Sequence, residues 1–459
     1  MHALVILPPL LAIAFVFWKR DVIAALLLAI VSAEGIRLWQ EGLLSVGALG
    51  QDSVSRVLAV FAGPGNVKLL LFSVLIGALL ALLRASGGVA ATVQKLVATG
   101  IARTARRSRL LTMLVGVLIF VESNLSVLTA GILARGLFDR FGMSRAQLAY
   151  LIDSTSAPVC ILILLNGWGA YVLGLLAGYD LGANPVAVLW QTVPLNFYAL
   201  LTLALAFYSA YSGKLFGPLK QSQQQFDPAR DELHAATASK SRYMVVPLAV
   251  LIGAMVVFML ISGQGQLTAG DGAQSMLYAT LCAIAVAYLL LALGRHFNHR
   301  QMVDLSFQGM SELLPLVAIV LLSIALGSSL KALGTGSYIA SLVSGHVPVV
   351  LLPALLFMAG AAMSFATGTS WGTFALLIPL GMPLVNELAL PPALILAAIL
   401  GGGIFGDHCS PMSDTTAVSS IASGCDLLEH VRTQLPYALV AGAGSIALYL
   451  LAGVLMTGG

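Results

Sequence analysis

Apolar runs of about 20 residues, each long enough to cross a bilayer as a helix with its backbone hydrogen bonds closed internally, recur along most of the chain. They predict crossings near Leu4 to Trp18, Val22 to Leu38, Val67 to Leu83, Leu148 to Ala177, Val186 to Tyr211, Met244 to Ser262, Met276 to Leu293, Leu313 to Leu330, Ala393 to Ala422 and Leu435 to Met456. Two further runs, Leu110 to Leu133 and Val349 to Met382, do not fit as crossings. Lys95, Arg103, Arg106, Arg107 and Arg109 precede the first, and Arg135, Arg140 and Arg145 follow it, so both of its ends suit the cytoplasm. No Lys or Arg lies between Lys331 and Arg432, so both ends of the second suit the outside. Each is expected to be a re-entrant hairpin, a shape allowed only where protein or a wet cavity covers its tip. The predicted fold class is an all-α integral membrane protein, with about ten transmembrane helices plus two re-entrant hairpins in inverted-topology repeats.

This arrangement leaves only Arg37, Arg56, Lys68 and Lys331 of the 23 Lys and Arg residues outside, and places both termini outside. The first run has Lys19 and Arg20 after it, the reverse of a cleavable signal, so it is expected to stay as a helix. A bacterial plasma (inner) membrane, with the lipid bilayer as partner, is the expected setting. Composition changes the picture little: 59% hydrophobic and 9% charged residues exclude an ordinary soluble domain. The net charge of +4 is mostly a positive-inside signature, and no nucleic-acid partner is expected. Cys160, Cys282, Cys409 and Cys425 show no metal-ligand pairing and are expected as free thiols.

The one sizeable hydrophilic stretch, Lys214 to Arg242, reads as a cytoplasmic linker. It divides the chain into N-terminal membrane helices (1–66), a first repeat (67–213), the linker (214–243), connecting helices (244–308) and a second, inverted repeat (309–459). Three short matches fall in the same order in the two repeats. Leu83-Arg84-Ala85-Ser86-Gly87 pairs with Leu330-Lys331-Ala332-Leu333-Gly334, and Phe120-Val121-Glu122-Ser123-Asn124 with Phe365-Ala366-Thr367-Gly368-Thr369. Asp153-Ser154-Thr155-Ser156-Ala157-Pro158 pairs with Asp407-His408-Cys409-Ser410-Pro411. Inverted repeats give one unit inward-open and outward-open forms of similar energy, which alternating access requires.

The chemistry concentrates in Gly406-Asp407-His408-Cys409-Ser410-Pro411-Met412-Ser413-Asp414-Thr415-Thr416, where two carboxylates and an imidazole sit amid apolar segments. A carboxylate at mid-membrane costs roughly 2.5 to 3.5 kcal/mol on insertion scales, so partners or water must compensate. Pro158 and Pro411 follow Asp and Ser residues and point to unwound segments, a plain kink being the alternative. On an unbroken helix Asp407 and Asp414 would stand about 10.5 Å apart, too far to share one ion unless the helix unwinds.

That run, with Ser370-Trp371-Gly372-Thr373, resembles the NhaC family of sodium/proton antiporters within the ion transporter superfamily, over most of the chain from about Val67 to Met456. The resemblance implies a scaffold domain, a transport domain holding both hairpins, and a homodimer. It also implies sodium-binding Ser-Asn-Thr hairpin tips, matched here by Ser123-Asn124 and Thr369-Ser370. Leu125 stands where a third hydroxyl would be, and Glu122 adds a charge.

Hard oxygen ligands at hairpin tips and helix breaks suit sodium. The candidate ion- and proton-binding residues are Glu122, Ser123, Asn124, Asp153, Ser156, Thr367, Thr369, Ser370, Asp407, His408, Ser410, Ser413 and Asp414, with sodium at Ser123, Asn124, Asp153, Thr369 and Asp407. His408 can exchange a proton near neutrality or act as a neutral hydrogen-bonding neighbour. Trp168, Trp371 and Tyr171 can line a cavity or serve as packing, and Arg84 and Lys331 are candidate anion partners or interfacial anchors. No cofactor is expected, sodium and protons being the transported or coupling ions. The leading expectation is sodium/proton antiport by alternating access. A sodium- or proton-coupled carrier of a small carboxylate or amino acid is the alternative, ahead of a channel or an intramembrane metalloenzyme.

Overall fold

The computed structural model describes residues 2–457 except 20, 89–90, 93–94, 96–101, 121–122, 165, 177, 225–238, 267–269 and 296. Every regular element among them is helical, as long apolar segments without water to bond their backbones must be. In chain order these are α1 (Leu7–Lys19), α2 (Val22–Gln40), α3 (Val46–Ala59), α4 (Pro64–Ala85), α5 (Ala105–Leu118), α6 (Ser123–Arg140), α7 (Arg145–Ser154), α8 (Ala157–Cys160), α9 (Gly167–Leu176), α10 (Pro185–Gln191) and α11 (Phe197–Ser212). After them come α12 (Gly217–Gln224), α13 (Arg242–Ser262), α14 (Gly272–Leu293), α15 (His299–Leu333), α16 (Thr335–His346), α17 (Leu352–Thr367), α18 (Ser370–Glu387), α19 (Pro392–Cys409), α20 (Asp414–Ser423) and α21 (Leu427–Thr457). Among the described residues, nine helices are long and apolar enough to cross a membrane.

The predicted spans need four adjustments. The first apolar helix, α1, is 13 residues long, too short to cross alone. The run Leu148 to Ala177 is cut into α7, α8 and α9. Val186 to Tyr211 breaks at the 3-10 turn Val193–Leu195, where Pro194 lacks an N–H, and Asn196 restarts the helix by accepting from Ala199 N at 3.4 Å. The segment Val349–Thr367, expected as a hairpin arm, is long enough to cross by itself.

The linker begins as structure. Leu219 is fully buried, Ser222 donates to Glu429 at 2.6 Å, and Gln223 both accepts from Ser144 N (2.8 Å) and donates to Gly142 O (2.6 Å), which docks α12 on the body. Helix α3, which the hydropathy pattern does not signal, is tied down by polar contacts. Buried Glu34 of α2 accepts from Arg37 (2.9 Å), Arg56 of α3 (2.7 Å) and Ser329 of α15 (2.8 Å), so its charge is met from three sides. The four cysteines form no disulfide.

Packing follows small residues. Helices α4 and α15 cross where Gly77 and Gly309 face each other; a Cβ on Gly309 would stand 2.1 Å from Gly77 O, so only glycine permits the approach. In the same way α17 lies on α19 through Gly402 and Gly406, where added Cβ atoms would reach Phe357 O at 2.3 Å and Phe365 N at 2.1 Å. Next to them Gly403 faces the Phe374 ring, 2.3 Å from where its Cβ would stand.

Two helix–break–helix pairs, α5/α6 and α17/α18, are each followed by a broken helix, α7/α8 and α19/α20. At matching places the Phe120 carbonyl accepts from Asn166 Nδ2 (2.9 Å), and the Phe365 carbonyl accepts from Ser410 Oγ (2.7 Å). Each pair is thus pinned to the break that follows it.

Candidate functional site

The second pair sets the geometry. Gly368 turns the chain with φ +71° and lies so close to the α19–α20 break that a Cβ would meet Met412 O at 2.4 Å. Thr369 caps α18 by accepting from Gly372 N at 3.3 Å. Ser370 then opens α18 and donates to Asp407 Oδ2 at 2.6 Å. On the other side Ser413 caps α20 and donates to Asp407 Oδ1 at 2.7 Å. Both oxygens of Asp407 accept from hydroxyls, and the N-termini of α18 and α20 lie beside it. Donors and helix dipoles of that sign stabilise an ionised carboxylate.

Asp407 lines a cavity of about 280 Å³ together with Ser123, Asn124, Thr369, Asp414 and Thr415. The opposite wall is largely apolar: Phe72, Ile76 and Leu80 from α4, and Leu313, Leu316 and Ile319 from α15. Trp168 and Trp371, with ring centres 5.0 Å apart, close one side. At about 30 Å³ per water, the space holds roughly nine waters, so an ion would sit there partly hydrated. The unwinding at 410–413 brings Asp414 into the same cavity as Asp407, where an unbroken helix would have separated them. Asp414 is exposed to the space and accepts from Asn124 Nδ2 at 3.3 Å, joining the first pair to the second broken helix.

The other expected residues are placed elsewhere. Thr367 donates to Met363 O (2.9 Å), Ser410 to Phe365 O (2.7 Å) and Ser156 to Asp153 O (2.8 Å), so all three hold backbone rather than face the cavity. Asp153 is fully buried and not among the cavity-lining residues; its Oδ2 accepts from Gln434 Nε2 at 2.8 Å, contacts His430 Nε2 at 3.1 Å and accepts from Thr416 Oγ1 at 3.4 Å. His408 is also buried away from the cavity, with Tyr198 Oη 2.8 Å from Nδ1 and Ser154 Oγ 3.1 Å from Nε2. Tyr171 stands behind the aromatic wall and donates to Trp371 O at 2.6 Å. Arg84 pairs with Glu312, itself a cavity residue. Glu122 lies outside the described residues.

The chain matches the sequence model of the Na+/H+ antiporter family over residues 159–454. It belongs to that family. As a member it is a multi-pass membrane transporter and a secondary antiporter, of a family that handles sodium ions and protons. An uncharacterized protein of Haemophilus influenzae is 33% identical over 99% of this antiporter and 91% of that protein. The malate-2H(+)/Na(+)-lactate antiporter of Bacillus subtilis is 38% identical, over 25% of this chain and 24% of that one. The Alcanivorax borkumensis YdaH transporter shares the fold with a TM-score of 0.56 at 14% identity, over 89% of this chain and 90% of that one.

Several residues that build the antiporter's site gave no clear sign in sequence. His430 and Gln434 are one helical turn apart on α21, just before the run first taken as a span at Leu435; their i, i+4 spacing was the available signal. Thr416 closes the motif but carries no charge to single it out. Tyr198 and Glu312 lie far along the chain from the residues they join.

Proposed function

We propose that this protein exchanges sodium for protons by alternating access, with the cation held at Asp407 and Asp414 and completed by Ser123, Asn124 and Thr369. The observation that carries the reading is the convergence of two helix breaks and a broken helix on one hydroxyl-bonded carboxyl group at a cavity. The wall from α4 and α15 is mostly apolar, its polar members being Ser73 and Glu312, and Glu312 is paired with Arg84, so few groups there hold the cation back as the other side moves past it. On this reading α5/α6 and α17/α18 are re-entrant hairpins of two inverted repeats and form a transport domain against a scaffold containing α4 and α15. Both termini face outside the bacterial plasma membrane, and the protein works as a homodimer without enzymatic turnover.

The test is proteoliposomes with an acidic interior: external sodium raises internal pH in proportion to protein, and Asp407→Asn abolishes the rise. A second reading has one observation in its favour, the cavity's aromatic wall and its room beyond a single ion. A small organic solute would then travel with the ions, as the name of the Bacillus relative states for that protein. Vesicles that accumulate a labelled carboxylate or amino acid, yet show no sodium-dependent pH change, decide for it.

A further inference from the structure

Behind the cavity lies a second set of polar groups that the cation site does not use. Asp153, His430 and Gln434 are fully buried, and each keeps one polar atom without a hydrogen-bond partner: Asp153 Oδ1, His430 Nδ1 and Gln434 Oε1. A buried polar atom left unpaired costs about 1 to 3 kcal/mol, so three around one carboxylate mark a place built for something besides stability. The chemistry of these atoms is that of a proton acceptor. If His430 donates Nε2–H to Asp153 Oδ2 as a neutral imidazole, its Nδ1 carries a bare lone pair. A proton added there makes an imidazolium paired with Asp153; a proton added on Oδ1 makes a neutral acid. Either position cancels the negative charge of an ionised Asp153.

We propose that the exchanged proton is carried by the Asp153–His430 pair, a site separate from the Asp407 carboxylate that takes the cation. This rests on the sodium/proton reading above and replaces direct competition at one carboxylate by linkage between two. The link is visible in two donors. Thr416 Oγ1 has a single hydrogen and lies 3.4 Å from Asp153 Oδ2 and 3.3 Å from Asp407 O, so it can satisfy one acceptor well at a time. Gln434 Nε2 bonds both Asp153 Oδ2 and the His408 carbonyl. An unprotonated Asp153 competes with the Asp407 carbonyl for the single Thr416 hydrogen, and a protonated pair releases it, while the two amide hydrogens of Gln434 bridge Asp153 to the His408 carbonyl in the last turn of α19. That turn carries the cation ligand Asp407.

The other titratable groups facing the pair are Asp407, His408 and Cys409 from α19 and Tyr198 from α11. From α5 and α6 the charged side chains are directed elsewhere: Arg106 and Arg109 bond the Tyr211 and Ala210 carbonyls, Arg135 bonds the Ile421 carbonyl, Asp139 pairs with Arg145, and Arg107 and Arg140 are exposed. On α21 itself, Glu429 accepts from Ser222 and Arg432 is exposed.

The test uses the purified full chain in weak buffer, with sodium added as the probe. Fluorescence of Trp168 and Trp371 reports cation binding, and an indicator dye reports proton release. Wild-type protein is expected to give both signals. Asp153→Asn and His430→Gln are expected to keep the fluorescence response and to release at least about tenfold less proton per sodium bound. Thr416→Val keeps both members of the pair and is expected to halve the release or more; it carries the test if the other variants do not fold. Unchanged release in the variants that fold overturns the assignment, with exchange itself intact. Loss of the fluorescence response in variants that unfold at the wild-type temperature also overturns it, by placing Asp153 in the cation site. A wild-type protein that gives neither signal counts against sodium/proton exchange itself.

Discussion

Asp153 and Asp407 stand in the same place in two broken helices, each in the last turn before a break, yet their surroundings differ in kind. Asp407 borders a cavity and takes its two hydrogen bonds from hydroxyls at the starts of other helices. Asp153 does not line that cavity and takes its bonds from an amide, an imidazole and a threonine inside the packed interior. On the proposed reading the first environment exchanges hydroxyl contacts for a cation, and the second gains or loses a proton. Local sequence of one type thus yields two chemistries, because the partners come from elsewhere in the chain.

The largest expected effect is Asp407→Asn. It removes the charge that both Ser370 and Ser413 point at, and with hydrogen bonds to charged groups worth about 1.5 to 3 kcal/mol each, sodium affinity should fall at least about 100-fold. A fluorescence titration with sodium checks it; affinity within threefold of wild type (about 0.7 kcal/mol) would break the comparison.

Glycine substitutions beside the two breaks come next. A Cβ at Gly406 meets the backbone of α17, 2.1 Å from Phe365 N, which cannot step aside. A Cβ at Gly116 meets the side chain of Thr155, 2.2 Å from Oγ1. Gly406→Ala should therefore cost about 1 to 3 kcal/mol, read as a lower unfolding temperature in detergent, with a smaller loss for Gly116→Ala. Equal losses would mean that α17 yields as easily as a threonine hydroxyl.

Ser370→Ala should weaken sodium binding about tenfold, from the loss of one charge-assisted bond, while leaving proton release per bound sodium unchanged. Release that falls along with affinity would merge the two sites into one. The smallest effect belongs to Asp414→Asn. This carboxylate is exposed to the cavity and screened, so about two- to fivefold in sodium affinity is expected from the same titration.

Much of this was legible in the linear order of residues. Long apolar runs require helices, and Asp-Ser runs before Pro158 and Pro411 mark breaks that the structure has, at Thr155–Ser156 and at 410–413. The Phe120 carbonyl is held by Asn166 and the Phe365 carbonyl by Ser410. Other features were not legible. Nothing in hydropathy distinguishes α12, docked by Gln223, from a loose linker, since two side-chain hydrogen bonds decide it. Nor does residue type separate Ser370, which bonds Asp407, from Ser410, which bonds a carbonyl; both are hydroxyls beside a break.

The chain alone determined that there would be membrane helices, where they would be interrupted and which acidic residues would lie at the interruptions, because the cost of exposed backbone and buried charge in lipid acts locally. Only tertiary structure decided what each acid meets. Hydrogen bonding depends on atoms within about 3 Å, and the atoms that reach Asp153 and Asp407 come from segments as distant as Gln434 and Ser370.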